Sequence, residues 1–259
     1  MITSTQNALV KRIRRLRQKK YRLSEGVFFV EGLRVVASAL EHGAQVEQLV
    51  WCDRYLKSEF GRGLVISAEI PTNEFAPNVF KSISERDNPV GLAAIIHTPV
   101  QPLDTLNVHP STTVVALNEI GDPGNLGTII RTVDAAGANA VILVGNTVDV
   151  GHQSAVKASM GALFNVPIVT AQTIGQLLMW AAENKLQTIA TTANTDTDYR
   201  SADYRSPTLL LMGNEGRGLS AETIAQADLA VSIPMRGVSS SLNLAIATGL
   251  MLYEITSAD

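Results

Sequence analysis

The feature that most constrains the fold is a regular alternation of apolar runs and amphipathic segments over residues 112–259. The pattern predicts strands near residues 113–118, 140–144, 166–170, 187–192, 208–212 and 229–233. It predicts helices near residues 125–136, 153–160, 173–184, 220–226 and 241–256. Strands such as 140–144 are apolar throughout, as burial of both sheet faces requires. We therefore expect an α/β domain in which helices cover both faces of a parallel sheet.

The N-terminal part of the chain predicts a second, smaller α/β domain. Its strands are expected near residues 27–30, 47–52, 63–66 and 90–96, and its helices near 5–20, 32–42 and 72–84. Three prolines and several turn-forming residues in 97–112 interrupt the apolar periodicity and indicate a linker. The expected organisation is a domain at 1–98, a linker at 99–111 and a domain at 112–259.

The N-terminal segment is strongly basic. Residues 1–22 contain eight Lys and Arg residues and no Asp or Glu, although the whole chain has a formal net charge of −3. A chain polarised in this way usually meets a polyanion through its basic part. A solvated helix face is the alternative interpretation, whereas a membrane-surface helix is disfavoured because the apolar face lacks Trp and Phe.

Composition excludes several other classes of protein. The apolar fraction of 46% excludes a disordered chain, and the longest apolar run, residues 177–182, is far shorter than the roughly 20 residues of a membrane helix. No apolar stretch follows the N-terminal charges, so no secretory signal is expected. The single Cys52 fits a reducing cytoplasm. The four histidines are scattered and form no cluster with cysteine, so we expect no metal site.

Three segments that follow predicted strands carry polar residues that a core does not need. Ligands of open parallel sheets bind beyond the carboxyl ends of the strands, so these segments are candidate ligand loops. The first, residues 118–127, has glycines spaced G-x-x-G-x-x-G, one residue away from the dinucleotide fingerprint. Its Asn125 suits a helix N-cap, and the helix that follows carries Arg131, which a surface position would also explain.

The second segment, residues 213–219, has three glycines around Glu215 and suits either a ligand loop or a plain turn. The third, residues 233–247, runs through a serine-rich loop into the last helix. A serine at 239–241 would cap that helix in any case. Asn243, in an otherwise apolar first turn, needs polar partners if it is buried.

These segments, in this order, closely resemble the three motifs of the SpoU, or TrmH-like, branch of the SPOUT RNA methyltransferases. The matching stretches are residues 125–131 (Asn-Leu-Gly-Thr-Ile-Ile-Arg), 213–219 (Gly-Asn-Glu-Gly-Arg-Gly-Leu) and 233–243 (Ile-Pro-Met-Arg-Gly-Val-Ser-Ser-Ser-Leu-Asn). The resemblance implies methylation of a ribose 2′-hydroxyl in structured RNA, with S-adenosylmethionine (AdoMet) as donor. Ribosomal RNA is the favoured substrate and transfer RNA the alternative. A deep trefoil knot and a homodimer are also implied.

The N-terminal domain resembles the small RNA-binding domain that often precedes this catalytic domain. That similarity rests on the basic helix and on residues 28–32 (Phe-Phe-Val-Glu-Gly). RNA contacts are then expected from the basic segment, at Lys11, Arg12, Arg14, Arg15, Lys19, Lys20 and Arg22.

The resemblance also assigns site residues. The catalytic set is Arg131, Asn125, Glu215, Ser241 and Asn243. The cofactor-binding set is Gly213, Asn214, Gly218, Ile233, Met235 and Leu242. Because a guanidinium stays protonated, we expect Arg131 to stabilise the developing alkoxide rather than to act as a general base. Glu215 is expected either to orient or neutralise Arg131 or to tie the loop, and Ser241 and Asn243 are expected either to hold the loop or to contact RNA.

Two other functions compete with this interpretation. A nicotinamide-dependent dehydrogenase is suggested by the strand, glycine turn and helix at 113–136, but the glycine spacing argues against it. A catalytically inactive RNA-binding or ribosome-assembly protein is the other alternative, and intact polar positions in all three motifs argue against it.

Overall fold

The computed structural model describes residues 1–257, which pack into two units. The first unit consists of Met1–Pro99 and Asp149–Phe164. The second consists of Val100–Val148 and the described residues from Asn165 onward. The helix predicted at 153–160 is present, but it packs within the first unit although its sequence lies between two strands of the second.

The first unit contains a four-stranded mixed sheet in the order β1-β4-β2-β3. Its strands are β1 (Val27–Glu31), β2 (Val46–Trp51), β3 (Thr72–Glu74) and β4 (Leu92–His97). Its helices are α1 (Ala8–Arg15), α2 (Lys19–Glu25), α3 (Leu33–Glu41), α4 (Glu59–Ser67), α5 (Pro77–Ile83) and, from the second stretch of chain, α7 (Gln153–Ser159). Strand β4 pairs antiparallel with β1 and β2, and a core that includes Ile13, Phe29 and Phe80 packs against the sheet.

The second unit contains a seven-stranded sheet in which every pairing is parallel, in the order β11-β9-β10-β6-β7-β8-β5. Its strands are β5 (Val100–Pro102), β6 (Thr113–Asn118), β7 (Ala140–Val144), β8 (Ile168–Ala171), β9 (Gln187–Thr191), β10 (Thr208–Met212) and β11 (Leu229–Val231). Its helices are α6 (Pro123–Ala136), α8 (Ile174–Glu183), α9 (Ala221–Gln226) and α10 (Leu244–Ser257). These elements confirm the predicted α/β fold with a parallel sheet, whereas the trefoil knot stays a prediction.

Several predicted elements are wrong in the first unit. The strand expected at 63–66 lies inside α4, which Ser58 begins by accepting a hydrogen bond from the Gly61 N–H. The helix expected at 5–20 is two helices, because the buried Arg22 guanidinium bonds the carbonyls of Leu16 and Arg17 between them. The helix expected at 72–84 starts only at Pro77, which suits a first helical turn but not a helix interior.

Three features of the second unit also differ from the prediction. The linker expected at 99–111 contributes β5, which pairs with β8 at the sheet edge. Helix α6 is capped by Asp122 and not by Asn125, since the Asp122 carboxylate accepts from the Asn125 N–H at 2.6 Å. Helix α10 begins at Leu244 and not at 241, because Asn243 Oδ1 accepts the N–H of Ala245 and so caps the helix.

Candidate active site

The candidate site lies where the order of the strands reverses. β6 and β10 are neighbours in the sheet although β7, β8 and β9 separate them along the chain, and β9 and β11 lie beyond β10. A crevice at such a point is the usual ligand site of an open parallel sheet. A cavity of about 810 Å³ is found here, lined by residues 191–194, 212–219 and 240–244. Two of the three sequence-predicted loops, together with Asp122 and Asn125 of the first, therefore line one cavity.

The loop after β10 folds tightly on itself. A Cβ on Gly213 would lie only 2.2 Å from the Gly218 carbonyl carbon, so a side chain has no room at this position. The Gly218 N–H donates to the Asn214 carbonyl at 2.8 Å, and the Asn214 side-chain oxygen accepts from the Gly216 N–H at 3.0 Å. These bonds fix the backbone that forms one wall of the cavity.

The same loop is bonded to the loop after β6. Asn214 Nδ2 donates to the Glu119 carbonyl at 2.7 Å, and Arg217 Nη2 lies 2.9 Å from Glu119 Oε2. Glu119 adopts a φ of 52°, in the left-handed region that a non-glycine residue rarely occupies. These contacts hold together the loops of the two strands that meet at the reversal.

A chain of side-chain hydrogen bonds connects the three motifs. Glu215 Oε1 accepts from Asn125 Nδ2 at 3.2 Å, and Asn125 Oδ1 accepts from Asn243 Nδ2 at 2.9 Å. Glu215 also accepts from the backbone N–H groups of Gly121 and Asp122, both at 3.2 Å. The cap of α10, the first turn of α6 and the loop after β10 are therefore held in one arrangement.

This environment keeps Glu215 ionised. Partial burial favours the neutral carboxyl, but hydrogen bonds from its own N–H, from Gly121, from the Asn125 amide and from Asp122 outweigh that effect. Together they hold the pKa of Glu215 below its usual value of 4.5. The carboxylate is thus an anchor whose negative charge is needed for the hydrogen bonds that it accepts.

The structure does not bring Arg131 and Glu215 together as a bonded pair. Arg131 lies exposed on α6, outside the residues that line the cavity, and has no hydrogen-bond or ion-pair partner among residues 1–257. The hydrogen bonds of Glu215 go to the start of α6 and not to this guanidinium. The expectation that Glu215 orients Arg131 is therefore wrong in this structure, and its alternative, a carboxylate that ties the loop, describes the geometry.

The residues predicted to bind a cofactor all line the cavity. They are Gly213, Asn214, Gly218, Ile233, Met235 and Leu242. Ser241 also lines it, exposed and without a hydrogen-bond partner in the described chain. Met235 and Leu242 each leave 36% of their surface exposed, so the cavity presents apolar surface that a bound molecule could cover.

Sequence reasoning missed one part of the lining. Residues 191–194 (Thr-Thr-Ala-Asn), which are the last residue of β9 and the three after it, form a further wall. Their position could have identified them as lining residues, because they lie at the carboxyl end of a strand that pairs with β10. They lack glycines and charges, so composition alone did not mark them.

A second surface lies along α10. Ile246, Leu250 and Tyr253 are exposed and share one helix face through their spacing of four and three residues. With Thr128 and Thr132 of α6 they line a shallow cavity of about 680 Å³. This apolar face is unpartnered within the described chain.

The basic N-terminal segment is partly neutralised by its own unit. Arg12 lies 2.6 Å from Glu25 and also donates hydrogen bonds to Glu47. The hydrogen bond and the positive charge of Arg12 lower the pKa of Glu47. Arg15 pairs with Glu25 as well. Arg22, only 5% exposed, lies 2.6 Å from Asp149, so the expectation that it contacts RNA is wrong.

The other predicted RNA contacts of this segment differ in their surroundings. Arg14 donates weakly to the Thr5 carbonyl at 3.5 Å, and Lys20 lies 4.7 Å from the centre of the Tyr21 ring. Lys11 and Lys19 are exposed. Their contact with RNA stays a prediction.

The described residues show neither a metal-binding cluster nor a membrane-spanning helix. No three His, Cys, Asp or Glu side chains of residues 1–257 are grouped so that they could hold a metal ion. None of the helices between residues 1 and 257 has the length and apolar content that a bilayer-spanning helix needs.

Two family profiles match the chain. The SpoU rRNA Methylase family matches residues 112–253, and the MRM3-like substrate binding domain matches residues 7–94. Together they cover most of the sequence. The two profiles thus correspond to the two resemblances that the motifs and the basic segment suggested.

Named relatives and a solved structure are similar over nearly the whole chain. A 23S rRNA (uridine(2479)-2′-O)-methyltransferase of Streptomyces viridochromogenes is 34% identical over 92% of this chain and 85% of its own. The 23S rRNA (guanosine(2553)-2′-O)-methyltransferase RlmP of Bacillus subtilis is 29% identical over 98% of both chains. The crystal structure of an AdoMet-bound rRNA methyltransferase from Sinorhizobium meliloti is 40% identical over 99% of this chain and 97% of its own, with a TM-score of 0.90.

Proposed function

This chain belongs to the SpoU rRNA methylase family, and we propose that the RNA it methylates is 23S ribosomal RNA. It is an enzyme that uses AdoMet to methylate a ribose 2′-hydroxyl in ribosomal RNA. The observation that carries this function is the meeting of motif residues from all three loops at one cavity, at the reversal of a parallel sheet. Two relatives are named for different nucleotides, a uridine and a guanosine, so the proposal extends to the RNA and not to the nucleotide.

The cavity fits the donor in size and in chemistry. Its volume of about 810 Å³ is within the range of small-molecule sites. We propose that the backbone around Gly213 and Gly218 approaches the polar edges of the adenine, and that Ile233 and Leu242 cover its apolar faces. When bound, AdoMet supplies a methyl group on a positively charged sulfur.

Arg131 is proposed to act on the acceptor. A ribose hydroxyl becomes more negative as its proton leaves, and a permanently charged guanidinium stabilises such an oxygen. Support comes from its position on α6, the helix whose first turn carries Asn125, and from its lack of a partner in the described chain. A free guanidinium is available to RNA.

Ser241 and the hydrogen-bonded Asn125, Glu215 and Asn243 are proposed to have different roles. The three bonded residues position the loops, because their polar groups are already used in contacts with one another and with the backbone. Ser241 is proposed to contact the substrates, since its hydroxyl is exposed at the cavity and free of protein partners in residues 1–257.

We also propose that the enzyme is a homodimer built on the face of Ile246, Leu250 and Tyr253. Exposed apolar side chains along one helix are typical of an interface. The same face borders Asn125 and Asn243, so a second copy seated there would adjoin the candidate site.

The remaining proposals concern organisation. Residues 1–98 form the RNA substrate-binding domain and 112–259 the methyltransferase domain, which we propose to contain the trefoil knot. Residues 99–111 connect the two in sequence and also contribute β5 to the seven-stranded sheet. The match of the substrate-binding profile to residues 7–94 supports the first of these. A ribosomal RNA substrate supports action in the cytoplasm.

The test is methyl transfer in vitro. The purified protein is incubated with tritium-labelled AdoMet and with RNA from a strain that lacks it, separated into 23S, 16S and transfer RNA. We expect label in 23S RNA alone, with loss of about 10²–10³-fold in rate for Arg131→Ala and unchanged AdoMet affinity. Label confined to transfer RNA would overturn the substrate, and AdoMet binding without transfer to any fraction would favour a non-catalytic role.

A further inference from the structure

The first unit contains a cavity that none of the assigned roles uses. It has a volume of about 590 Å³ and lies at the start of α3, the loop before β4 and α7. Arg34, Arg86 and Lys157 line it, one from each of these three parts of the chain. All three side chains belong to exposed residues of the same unit.

The carboxylates in this cavity are already bonded to other groups. Glu31 accepts from the Ser84 hydroxyl at 2.7 Å and from the Val90 N–H at 3.2 Å. Glu85 lies 3.2 Å from the Arg17 guanidinium. Glu85 is therefore paired with a cation outside the cavity lining, whereas Glu31, whose partners are neutral, keeps one negative charge against the three cations, so the lining has an excess of positive charge.

The cations, by contrast, are available. Arg34 and Lys157 have no hydrogen-bond or ion-pair partner among residues 1–257, and Arg86 makes one long bond, 3.4 Å, to the Glu31 carbonyl. Three positive charges that converge on one concave surface attract an anion, and the attraction decreases as salt rises.

The backbone and the apolar lining suit a larger anion than a free ion. Helix α3 begins after Gly32 with no side-chain cap, so the positive end of the helix adds to the cations. Val156 is buried in the lining and Met160 is 41% exposed, which gives the cavity an apolar part. A nucleotide, with its phosphate at the cations and its sugar or base on the apolar part, matches this combination.

We propose that this cavity, and not the basic N-terminal segment, is the principal site at which the first unit binds the phosphate backbone of ribosomal RNA. The proposal rests on the proposed function, because it takes the RNA as given and names the surface that holds it. Lys157 belongs to the stretch Asp149–Phe164, which packs in the first unit although the methylase family matches it in sequence. In this proposal, part of the methylase sequence therefore binds RNA as part of the first unit.

The test compares two charge reversals of equal size. Arg34→Glu/Lys157→Glu alters the cavity, whereas Arg54→Glu/Lys57→Glu alters an exposed Arg and Lys of the same unit that lie outside it. Binding of an unmodified 23S RNA transcript is measured over a range of salt concentrations. We expect the cavity variant to weaken binding by roughly tenfold or more and to reduce the salt slope by about two, while the control changes affinity less than about twofold.

Far-ultraviolet circular dichroism and thermal unfolding serve as the folding check for the first unit, and AdoMet affinity shows that the donor cavity of the other unit is unchanged. If the charge reversal alters any of these, the milder Arg34→Gln/Lys157→Gln takes its place and should still reduce the salt slope. Equal effects of the cavity and control pairs, or no effect of either, would overturn the inference. Failure of the wild-type protein to bind or methylate 23S RNA would instead overturn the proposed function.

Discussion

Hydrogen bonds between side chains connect three loops that are far apart in the sequence, through Glu215, Asn125 and Asn243. Each amide donates to one neighbour and accepts from another, so each asparagine has a fixed orientation. The sequence marked all three residues, but it could not show that they bond one another. Asn125 has the pattern of a cap and is not one, whereas Asn243, expected inside the first turn of the last helix, is the cap of that helix.

The first residue-scale prediction concerns Glu215→Gln. Three N–H groups outside its own residue point at the carboxylate, and a neutral amide accepts from them less well. We expect a loss of about 1 kcal/mol in the free energy of unfolding at pH 7.

The loss of stability in Glu215→Gln should become smaller as the pH falls. The pKa of Glu215 in the folded protein lies below its usual 4.5, so its stabilising effect is present above that value and disappears as pH falls through the folded pKa. Thermal unfolding of wild type and variant from pH 7 to pH 3 measures the difference. A gap in melting temperature that stays constant down to pH 3 would contradict the assignment.

The second residue-scale prediction separates the two roles of Asn243. Asn243→Ala removes the cap of α10 and should cost about 1 kcal/mol in the free energy of unfolding. Asn243→Asp keeps the cap but cannot donate to Asn125, so it should preserve stability and weaken AdoMet binding. Calorimetric titration with AdoMet and thermal unfolding measure the two effects. Equal AdoMet affinity for wild type and Asn243→Asp would disprove that the Asn243–Asn125 hydrogen bond supports AdoMet binding.

At the scale of elements, the strands that were predicted correctly are those buried on both faces. β7 is apolar over its whole length, and β6 and β10 are apolar except at end residues (Thr113, Asn118 and Thr208), as burial between two helical layers requires. β5 was missed because it is three residues at the sheet edge, partly exposed, and ends in Pro102. The apolar residues at 64–66 suggested a strand, although the Ser58 cap before them indicates a helix.

The element-scale prediction concerns the glycine loop after β10. Gly213→Ala places a Cβ 2.2 Å from backbone and must displace the loop, so we expect AdoMet affinity to fall at least tenfold. Gly216→Ala is the matched control, because its Cβ would meet only the Asn214 side-chain oxygen at 3.5 Å. Equal AdoMet affinity of the two variants would show that this wall of the cavity does not hold the donor.

For the whole molecule, the sequence predicted two α/β parts, but it could not predict where Asp149–Phe164 packs. Its helix α7 has the ordinary pattern of a helix between two strands, yet it packs within the first unit, where Gly151 meets Phe28 and Asp149 bonds Arg22. Long-range pairs of this kind leave no local signal. The charge asymmetry did point to a polyanion, although half of the basic residues of the N-terminal segment pair with carboxylates.

The prediction at this scale concerns assembly. Ile246→Glu places a charge on the exposed face of α10 and should convert a homodimer into monomers, because an unpaired charge is costly to bury in an interface. Met179→Glu, at an exposed apolar residue of α8, should leave the dimer intact. Sedimentation velocity measures both, and a monomeric wild-type protein would contradict the proposed assembly.

The central claim is that this chain methylates a ribose of 23S RNA. The most direct measurement is mass spectrometry of 23S RNA from a strain that lacks the protein, compared with the same strain complemented by wild type or by Arg131→Ala. The account predicts one 2′-O-methylated nucleotide that is absent without the protein, restored by wild type and not restored by the variant. Identical ribose methylation in all three RNAs, or restoration of a methyl group on a base, would contradict it.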